Sequence, residues 1–448
     1  MKETEVLILG GLSGITAGIS CRRHYPDKKV TIVRKEGTIL IPCGIPYIYG
    51  TVGGPQYNVI PDGLLESNKI DLIKGEAIAV DREKKIVTLK DGETITYEKL
   101  VFATGSMPIV PPIPGITKKN VYAIWKDFDY LSKVYDEMTH VKDLVVIGGG
   151  FIGVEFADEC RKGRDINVTV VEALPQCLQM ALDDEFCVEA QAKLTETGVR
   201  VLTNSKADSI LGEDKVTGVR LADGTEIKAD MVILGIGAKP NTELAKQSGI
   251  ELGFNNTIRV DSLMRTYTDP DIFACGDCAE KHSFFTGRPI NTMLASIATA
   301  EARIAGANLY STVHHNCGAI SVFSTIVNGR AFAVAGLTER QAKQQGMNVV
   351  ITTAESPDTH PGGMPNSTLT KVKLVFAKET GVILGGSISG GRSVGEMINV
   401  ISACIMHRMT ANDMVMFQMG THPALTSSPI AYPIVNAACK AVLPIRNS

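Results

Sequence analysis

The chain has 448 residues, 44% of them hydrophobic and 21% charged, which is typical of soluble globular proteins and too long for one ordinary core. A formal net charge of -3 argues against a nucleic-acid partner, because polyanions are bound by basic surfaces. The scattered cysteines, the lack of an N-terminal apolar signal segment and the lack of an apolar run of roughly 18 residues predict a cytosolic protein without a membrane span.

The N-terminal segment has the pattern of a βαβ unit. An apolar run at Val6–Leu9 ends in glycines, a helical pattern covers Ile15–Arg23, and a second apolar run follows at Val30–Val33. Such a glycine loop lets the backbone and the helix N-terminus approach a pyrophosphate, although Leu9 stands where the first glycine is expected. The predicted dinucleotide-binding residues of this unit are Gly10, Gly11, Ser13, Gly14, Arg34 and Glu36.

Cys43 follows this unit in the segment Pro42-Cys43-Gly44-Ile45-Pro46-Tyr47. At the start of a predicted helix, its thiolate would be stabilised by the helix dipole and would be the reactive form. No other cysteine lies between Cys21 and Cys160, so a redox role must use one sulfur, as a mixed disulfide, a persulfide or a sulfenic acid. Seven other cysteines are expected to be buried, inert thiols: Cys21, Cys160, Cys177, Cys187, Cys317, Cys404 and Cys439.

The pattern strand, glycine loop, helix and strand returns in the middle of the chain. Leu144–Ile147 precedes a complete GxGxxG loop, and Glu172 closes the strand that follows the helix. A carboxylate there accepts a hydrogen bond from a ribose 2′-hydroxyl and repels a 2′-phosphate, so NADH is preferred to NADPH. The predicted binding residues are Gly148, Gly150, Phe151, Ile152, Gly153, Glu172 and, in a later turn, Gly237.

Two further strand ends carry residues suited to a nucleotide. Thr104 and Gly105 follow one apolar run, and Gly276 and Asp277 follow another; Asp277 could accept hydrogen bonds from sugar-alcohol hydroxyls. Cys275 and Cys278 have CxxC spacing but no second pair for zinc, so no metal site is expected.

The last third of the chain has the residue pattern of an α+β domain. Polar and apolar residues alternate over 321–328 and 371–377, which predicts half-exposed antiparallel strands. Thr338 and Gln341 have the spacing of a capping box that opens a helix, and residues 356–367 are expected to form a loop. The predicted fold class is therefore α/β, with two Rossmann-like dinucleotide-binding domains and a C-terminal α+β domain.

Four motifs in this order and spacing resemble the flavoprotein disulfide reductases, and most closely their single-cysteine branch. They are Pro42–Tyr47, Ala103–Gly105, Gly148–Gly153 and Ala274–Asp277. The branch contains coenzyme A-disulfide reductase, NADH oxidase, NADH peroxidase and the NAD(P)H sulfur or persulfide reductases. The resemblance implies that NADH reduces FAD and that the electrons then pass to the sulfur of Cys43.

The resemblance also implies a domain organisation and an assembly. We expect a discontinuous FAD-binding domain over 1–114 and 245–318, an NADH-binding domain over 115–244, and a dimerisation domain over 319–448. The expected assembly is a homodimer whose active site is completed by the partner subunit.

Some positions depart from the family pattern. Peroxidases and water-forming oxidases of the branch have a histidine about where Ser13 stands, which places efficient peroxide or oxygen chemistry in doubt. Coenzyme A-disulfide reductases have tyrosines from the partner subunit near the cysteine, whereas the corresponding segments here contain His360 and His422. A histidine can protonate a leaving thiolate, and Tyr432 is an alternative proton donor.

Arg22 and Arg23 end the first helix and could simply complement its dipole. In the resembling coenzyme A enzymes, arginines at this point contact the phosphates of the coenzyme. The predicted function is FAD-dependent reduction by NADH of a small sulfur substrate: coenzyme A persulfide, coenzyme A disulfide or polysulfide. The alternatives are an NADH oxidase that produces hydrogen peroxide and a non-enzymatic, redox-sensing flavoprotein.

Overall fold

The computed structural model describes residues 1–446 and divides into two compact units. The first unit contains residues 1–109, 123–139 and 237–319. The second contains residues 110–122, 140–236 and the chain from residue 320 onward. The boundaries expected for three domains stay a prediction.

The first unit is built on a five-stranded parallel sheet that is buried in an apolar core. Its strands, in spatial order, are Ile272–Ala274, Lys99–Ala103, Val6–Gly10, Val30–Arg34 and Asp71–Lys74. Near-continuous apolar runs form the strands Ile272–Ala274, Lys99–Ala103 and Val6–Gly10, because both faces of a parallel sheet are covered, whereas the edge strand Asp71–Lys74 has charged, exposed ends. The helices of this unit are Leu12–His24, Gly63–Ser67, Phe128–Met138, Glu243–Gln247 and Ala295–Ala307.

Smaller sheets complete the first unit. A four-stranded sheet has the order Lys2–Glu3, Thr94–Thr96, Ile86–Leu89 and Ala77–Asp81. Three two-stranded pairs are Ile39–Leu40 with Val59–Ile60, Ser106–Pro108 with Ala238–Pro240, and Lys281–His282 with Pro289–Ile290.

The second unit begins with another Rossmann-like sheet. Its strand order is Val121–Ala123, Met231–Leu234, Asp143–Ile147, Asn167–Val171 and Arg200–Leu202, and the last four are parallel. A three-stranded antiparallel sheet contains Ala207–Leu211, Gly218–Leu221 and Glu226–Lys228. The helices Phe151–Arg161 and Asp184–Glu196 accompany these sheets.

The C-terminal part of the second unit is the expected α+β layer. Five antiparallel strands have the order Val322–Val327, Arg330–Gly336, Ile383–Gly390, Leu369–Ala377 and Val349–Pro357. Its helices are Glu339–Gln344, Val394–Met406, Ala411–Val415 and Pro433–Arg446. Thr338 and Gln341 form the predicted capping box at the first of these helices. Within residues 1–446, no helix has both the length and the apolar composition that a bilayer crossing requires.

Polar contacts hold the two parts of the second unit together. Lys373 is buried and forms ion pairs with Asp183 at 3.3 Å, Glu185 at 2.9 Å and Glu339 at 2.7 Å. Glu155, on the helix that follows the second glycine loop, accepts a hydrogen bond of 2.8 Å from the Thr325 hydroxyl. Burial raises the pKa of Glu155 to about 7, a shift that the bond from Thr325 opposes and the charge of Glu159 reinforces.

The raised pKa of Glu155 predicts a pH dependence of stability. The folded protein favours the protonated form of Glu155. The stability that this preference provides is fully present below the ordinary pKa of 4.5 and is lost as the pH rises through about 7. Glu155→Gln mimics the protonated acid and does not titrate. The difference in free energy of unfolding, variant minus parent, should therefore be roughly 1–2 kcal/mol larger at pH 8 than at pH 5. Urea unfolding at both pH values measures this difference, and Glu213→Gln, at an exposed position, is the control. An equal difference at both pH values would contradict the prediction.

Candidate active site

The first glycine loop lies where two parallel strands end side by side. Gly10 pairs with Ala103 and has a φ of +132°, and a Cβ added to it would lie 2.0 Å from the carbonyl oxygen of Ala103. Only glycine fits this approach. The pairing brings Gly10 and Gly11 beside Thr104 and Gly105, two separately predicted motifs. The Thr104 hydroxyl donates a hydrogen bond of 2.6 Å to the carbonyl oxygen of Asn241.

Gly276 packs against the same loop. Its φ is +75°, and an added Cβ would lie 2.4 Å from the hydroxyl oxygen of Ser13. Asp277 accepts a hydrogen bond of 2.7 Å from Ser106 and lies 3.5 Å from the ammonium group of Lys126. The structure therefore brings Ser13, Gly276 and Asp277 together from distant parts of the sequence.

A buried ion pair supports the Gly276 turn. Glu301 accepts from the Gly276 N–H at 3.0 Å and from the Lys281 ammonium at 3.1 Å, while Lys281 also donates to the Gly276 carbonyl at 2.6 Å. Burial raises the pKa of Glu301 to about 7, although the Lys281 charge opposes the shift. Sequence patterns did not identify this pair, because Lys281 and Glu301 are 20 residues apart and carry no motif.

Arg34, at the end of the second strand of the first βαβ unit, bonds to the turn that follows it. Arg34 is buried, donates to the carbonyl oxygens of Glu36 and Gly37, and forms an ion pair with Asp62. These bonds shape the turn after the strand and place Glu36 at its partly buried bend.

The first helix presents its two arginines differently. The guanidinium group of Arg22 donates to the carbonyl oxygens of Pro26, Lys28 and Asn68, at 2.6, 2.7 and 3.3 Å. Arg23 is exposed. A phosphate contact stays a prediction for both residues, and Arg23 is the one with an exposed side chain.

Cys43 is exposed on a short 3₁₀ turn, Pro42–Gly44. A second 3₁₀ turn, Pro46–Tyr49, follows it in place of the α-helix that the sequence predicted. Proline has no N–H and cannot continue a helix hydrogen-bond ladder, so Pro46 explains the difference. A helix dipole is therefore not the source of any activation of Cys43.

Most of the other cysteines are buried, as predicted. Burial raises the pKa of the Cys21 and Cys160 thiols to about 12, which keeps them protonated and inert. The prediction was wrong for Cys317 and Cys439, which are exposed. Cys317 lies in the irregular segment after helix Ala295–Ala307, and Cys439 lies on the exposed side of helix Pro433–Arg446, beside the exposed Lys440.

The second glycine loop has the packing that its fingerprint predicts. Gly148 has a φ of +106°, and a Cβ added to Gly153 would lie 1.8 Å from the Gly148 carbonyl oxygen. The helix N-cap is Gly150, which brings no side chain to the first N–H groups, and Phe151 and Ile152 begin the helix. Both loops thus fit the phosphates of a dinucleotide, since each combines close backbone approach with an uncapped helix N-terminus. Gly237 lies in the first unit with a φ of +98°.

Glu172 lies just beyond its strand, beside a pocket of about 80 Å³. Its carboxylate accepts from the N–H groups of Gly149 at 2.5 Å and Leu174 at 2.7 Å. The side-chain oxygens of Gln176 and Gln179, which line the same pocket, are buried without a hydrogen-bond partner in the described chain. These amides are candidate ligand contacts that sequence analysis missed, although their position directly after Glu172 could have indicated them.

The C-terminal histidines lie in adjoining segments and have opposite tautomers. His360 Nδ1 is 2.9 Å from the carbonyl oxygen of Thr426, so Nδ1 carries the proton and Nε2 is the acceptor when the ring is neutral. His422 Nδ1 accepts from the Ala424 N–H at 3.2 Å, so its Nε2 carries the proton. His422 is exposed. Burial raises the pKa of Tyr432, which makes this phenol a weaker acid.

Comparison with known proteins identifies the family. The model of the pyridine nucleotide-disulphide oxidoreductases matches residues 4–302, and the model of their dimerisation domain matches residues 322–430. The chain belongs to the pyridine nucleotide-disulphide oxidoreductase family. It is therefore an oxidoreductase that uses FAD and NAD(P)H, as the sequence predicted, and its fold class is confirmed.

Relatives cover almost the whole chain. An NADH oxidase of Methanocaldococcus jannaschii is 29% identical over 99% of both chains. An NAD(P)H coenzyme A polysulfide/persulfide reductase of Pyrococcus horikoshii is 30% identical over 97% of both chains. Among solved structures, an NAD-dependent persulfide reductase from A. fulgidus superposes with a TM-score of 0.90 at 29% identity, over 99% of this chain and 84% of that one. The predicted single-cysteine branch is confirmed by these similarities.

The position of Glu172 predicts the nucleotide preference of this family member. Glu172→Ala should lower the NADH/NADPH ratio of kcat/KM by roughly tenfold, because the charge that repels a 2′-phosphate is lost. Glu213→Ala removes an exposed carboxylate elsewhere in the second unit and should leave the ratio unchanged. Steady-state kinetics with both nucleotides measure it, and an unaltered ratio in Glu172→Ala would count against the ribose role.

Proposed function

We propose that this protein is an NADH-dependent flavoprotein reductase of a small sulfur substrate, with Cys43 as its redox centre. The exposure of Cys43 on a tight turn is the observation that carries the proposal. The relative named coenzyme A polysulfide/persulfide reductase supports coenzyme A persulfide, coenzyme A disulfide or polysulfide as the substrate.

A single thiol can reduce a disulfide RS–SR′ through a mixed disulfide. The Cys43 thiolate attacks one sulfur, a new S–S bond forms with it, and the other sulfur leaves as a thiolate that takes a proton. When FAD is bound, it supplies a two-electron carrier between nicotinamide and the sulfur of Cys43. Overall, NADH, a proton and RS–SR′ become NAD⁺, RSH and R′SH. Of the C-terminal candidates, His422 has an exposed side chain, and its imidazolium form is suited to protonate the leaving thiolate.

NADH oxidation by oxygen, with hydrogen peroxide as the product, is the second candidate function. The relative named NADH oxidase favours it. Ser13 stands against a peroxidase or a water-forming oxidase, because these members of the branch are expected to have a histidine there.

Cys43→Ser separates the two candidate functions. The variant should retain FAD and NADH binding but lose anaerobic NADH oxidation by all four compounds of a panel: coenzyme A disulfide, coenzyme A persulfide, polysulfide and glutathione disulfide. Cys317→Ser, at another exposed cysteine, is the control and should keep the parent activity. Full sulfur-dependent turnover in Cys43→Ser would end the proposal. If the parent consumes NADH only with oxygen, the oxidase is the better description.

We also propose a homodimer in which the partner subunit completes the active site. The dimerisation-domain match supports it. Exposed apolar side chains flank His422 along the chain, at Met416, Leu425 and Ile430, which is 88% exposed. Such side chains are typical of a surface that another chain covers.

Mixed dimers test the shared site. Cys43→Ser and His422→Ala should each be inactive alone, because each removes one half of every site. After co-expression, one site in each mixed dimer would have both intact residues, so about a quarter of the parent activity should return. Recovery of no activity in the mixed dimers would show that the two residues do not act across subunits.

A further inference from the structure

We propose that Asn58 is the positioning residue of the redox cysteine, and that it holds the turn around Cys43 in its reactive geometry. This inference rests on the proposed role of Cys43. It concerns a residue that no sequence motif identified.

Asn58 closes a short antiparallel ladder beside the turn. Leu40 pairs with Val59, and the ladder continues one step further because the Ile41 N–H donates to the Asn58 carbonyl oxygen at 3.0 Å. The side-chain Nδ2 of Asn58 then donates to the Ile41 carbonyl oxygen, also at 3.0 Å. Asn58 is only 4% exposed, so these bonds are shielded from water.

The same carbonyl oxygen closes the turn that contains Cys43. The Gly44 N–H donates to the Ile41 oxygen at 3.0 Å, so this oxygen accepts from both Gly44 and Asn58. One side-chain amide thereby fixes the acceptor on which the 3₁₀ turn depends.

Asn58 also contacts the other side of the turn. A Cβ added to Gly44 would lie 2.0 Å from Asn58 Oδ1, and its three nearest atoms would all belong to Asn58. Gly44 does not have a positive φ, so its backbone conformation is open to any residue. The Asn58 side chain is therefore what requires glycine next to Cys43.

The neutrality of Asn58 matters for the thiol. Aspartate has the same shape, but it would lose the Nδ2 donor and place a negative charge against Gly44. A nearby like charge disfavours the thiolate, which is the nucleophile. A buried amide holds the turn without this penalty.

Alkylation of Cys43 tests the proposal without a substrate. Iodoacetamide labelling of the dithiothreitol-reduced holoenzyme over a range of pH, followed by peptide mass spectrometry, gives the titration midpoint of Cys43. In Asn58→Asp the midpoint should rise by roughly one pH unit. The exposed Cys317 and Cys439 report on the same samples and should not change. An unchanged Cys43 midpoint with retained FAD would overturn the proposal.

A pair of size-change variants provides an independent test. Gly44→Ala should change the Cys43 alkylation rate at neutral pH by roughly threefold or more, since the methyl group collides with Asn58 Oδ1. Adding Asn58→Ala should return the rate toward that of Asn58→Ala alone, because the obstruction is gone. If Gly44→Ala changes the rate as much in the Asn58→Ala background as it does in the parent, Asn58 does not set the turn.

This second test decides the matter if Asn58→Asp does not fold. Failure of the proposed function is distinguishable, because absence of sulfur reduction in the parent would leave the alkylation results intact.

Discussion

Close approach of backbone at the ends of parallel strands is the constraint on which both nucleotide loops depend. Gly10 meets the carbonyl of Ala103, and Gly153 meets that of Gly148, at separations that no side chain would allow. The helices that follow have glycine N-caps, Gly11 and Gly150, so no side chain caps their first N–H groups. Both loops are therefore suited to the phosphates of a dinucleotide.

The surroundings of the two loops differ in charge. In the first unit, the buried ion pair of Lys281 and Glu301 supports the turn that contains Gly276 and Asp277. Burial raises the pKa of the Glu301 carboxylate in this pair. In the second unit, the backbone N–H groups of Gly149 and Leu174 hold the carboxylate of Glu172. A carboxylate fixed in this way remains an acceptor that faces its pocket, which is consistent with recognition of a ribose hydroxyl.

The candidate redox centre depends on local bonds rather than on a helix. Cys43 lies on a 3₁₀ turn whose acceptor, the Ile41 carbonyl, is shared by Gly44 and Asn58. Two prolines limit this segment to short turns, so the thiol is presented at an exposed point by a rigid frame. The family assignment gives such a thiol a chemical context, and the buried cysteines, with their raised pKa values, are unsuited to the same chemistry.

Sequence alone determined the two βαβ units, the glycine loops and the capping box at Thr338, because each depends on residues close together in the chain. It also determined the single-cysteine family, because the order and spacing of four short motifs along the chain are visible in one sequence. Tertiary structure decided the rest. It brought Gly276 against Ser13, directed the guanidinium of Arg22 to backbone carbonyls, exposed Cys317, and set Asn58 against Gly44. Some of these features join residues far apart in the sequence, and others depend on which hydrogen-bond donors already have partners. A single sequence has no periodicity or motif that indicates either.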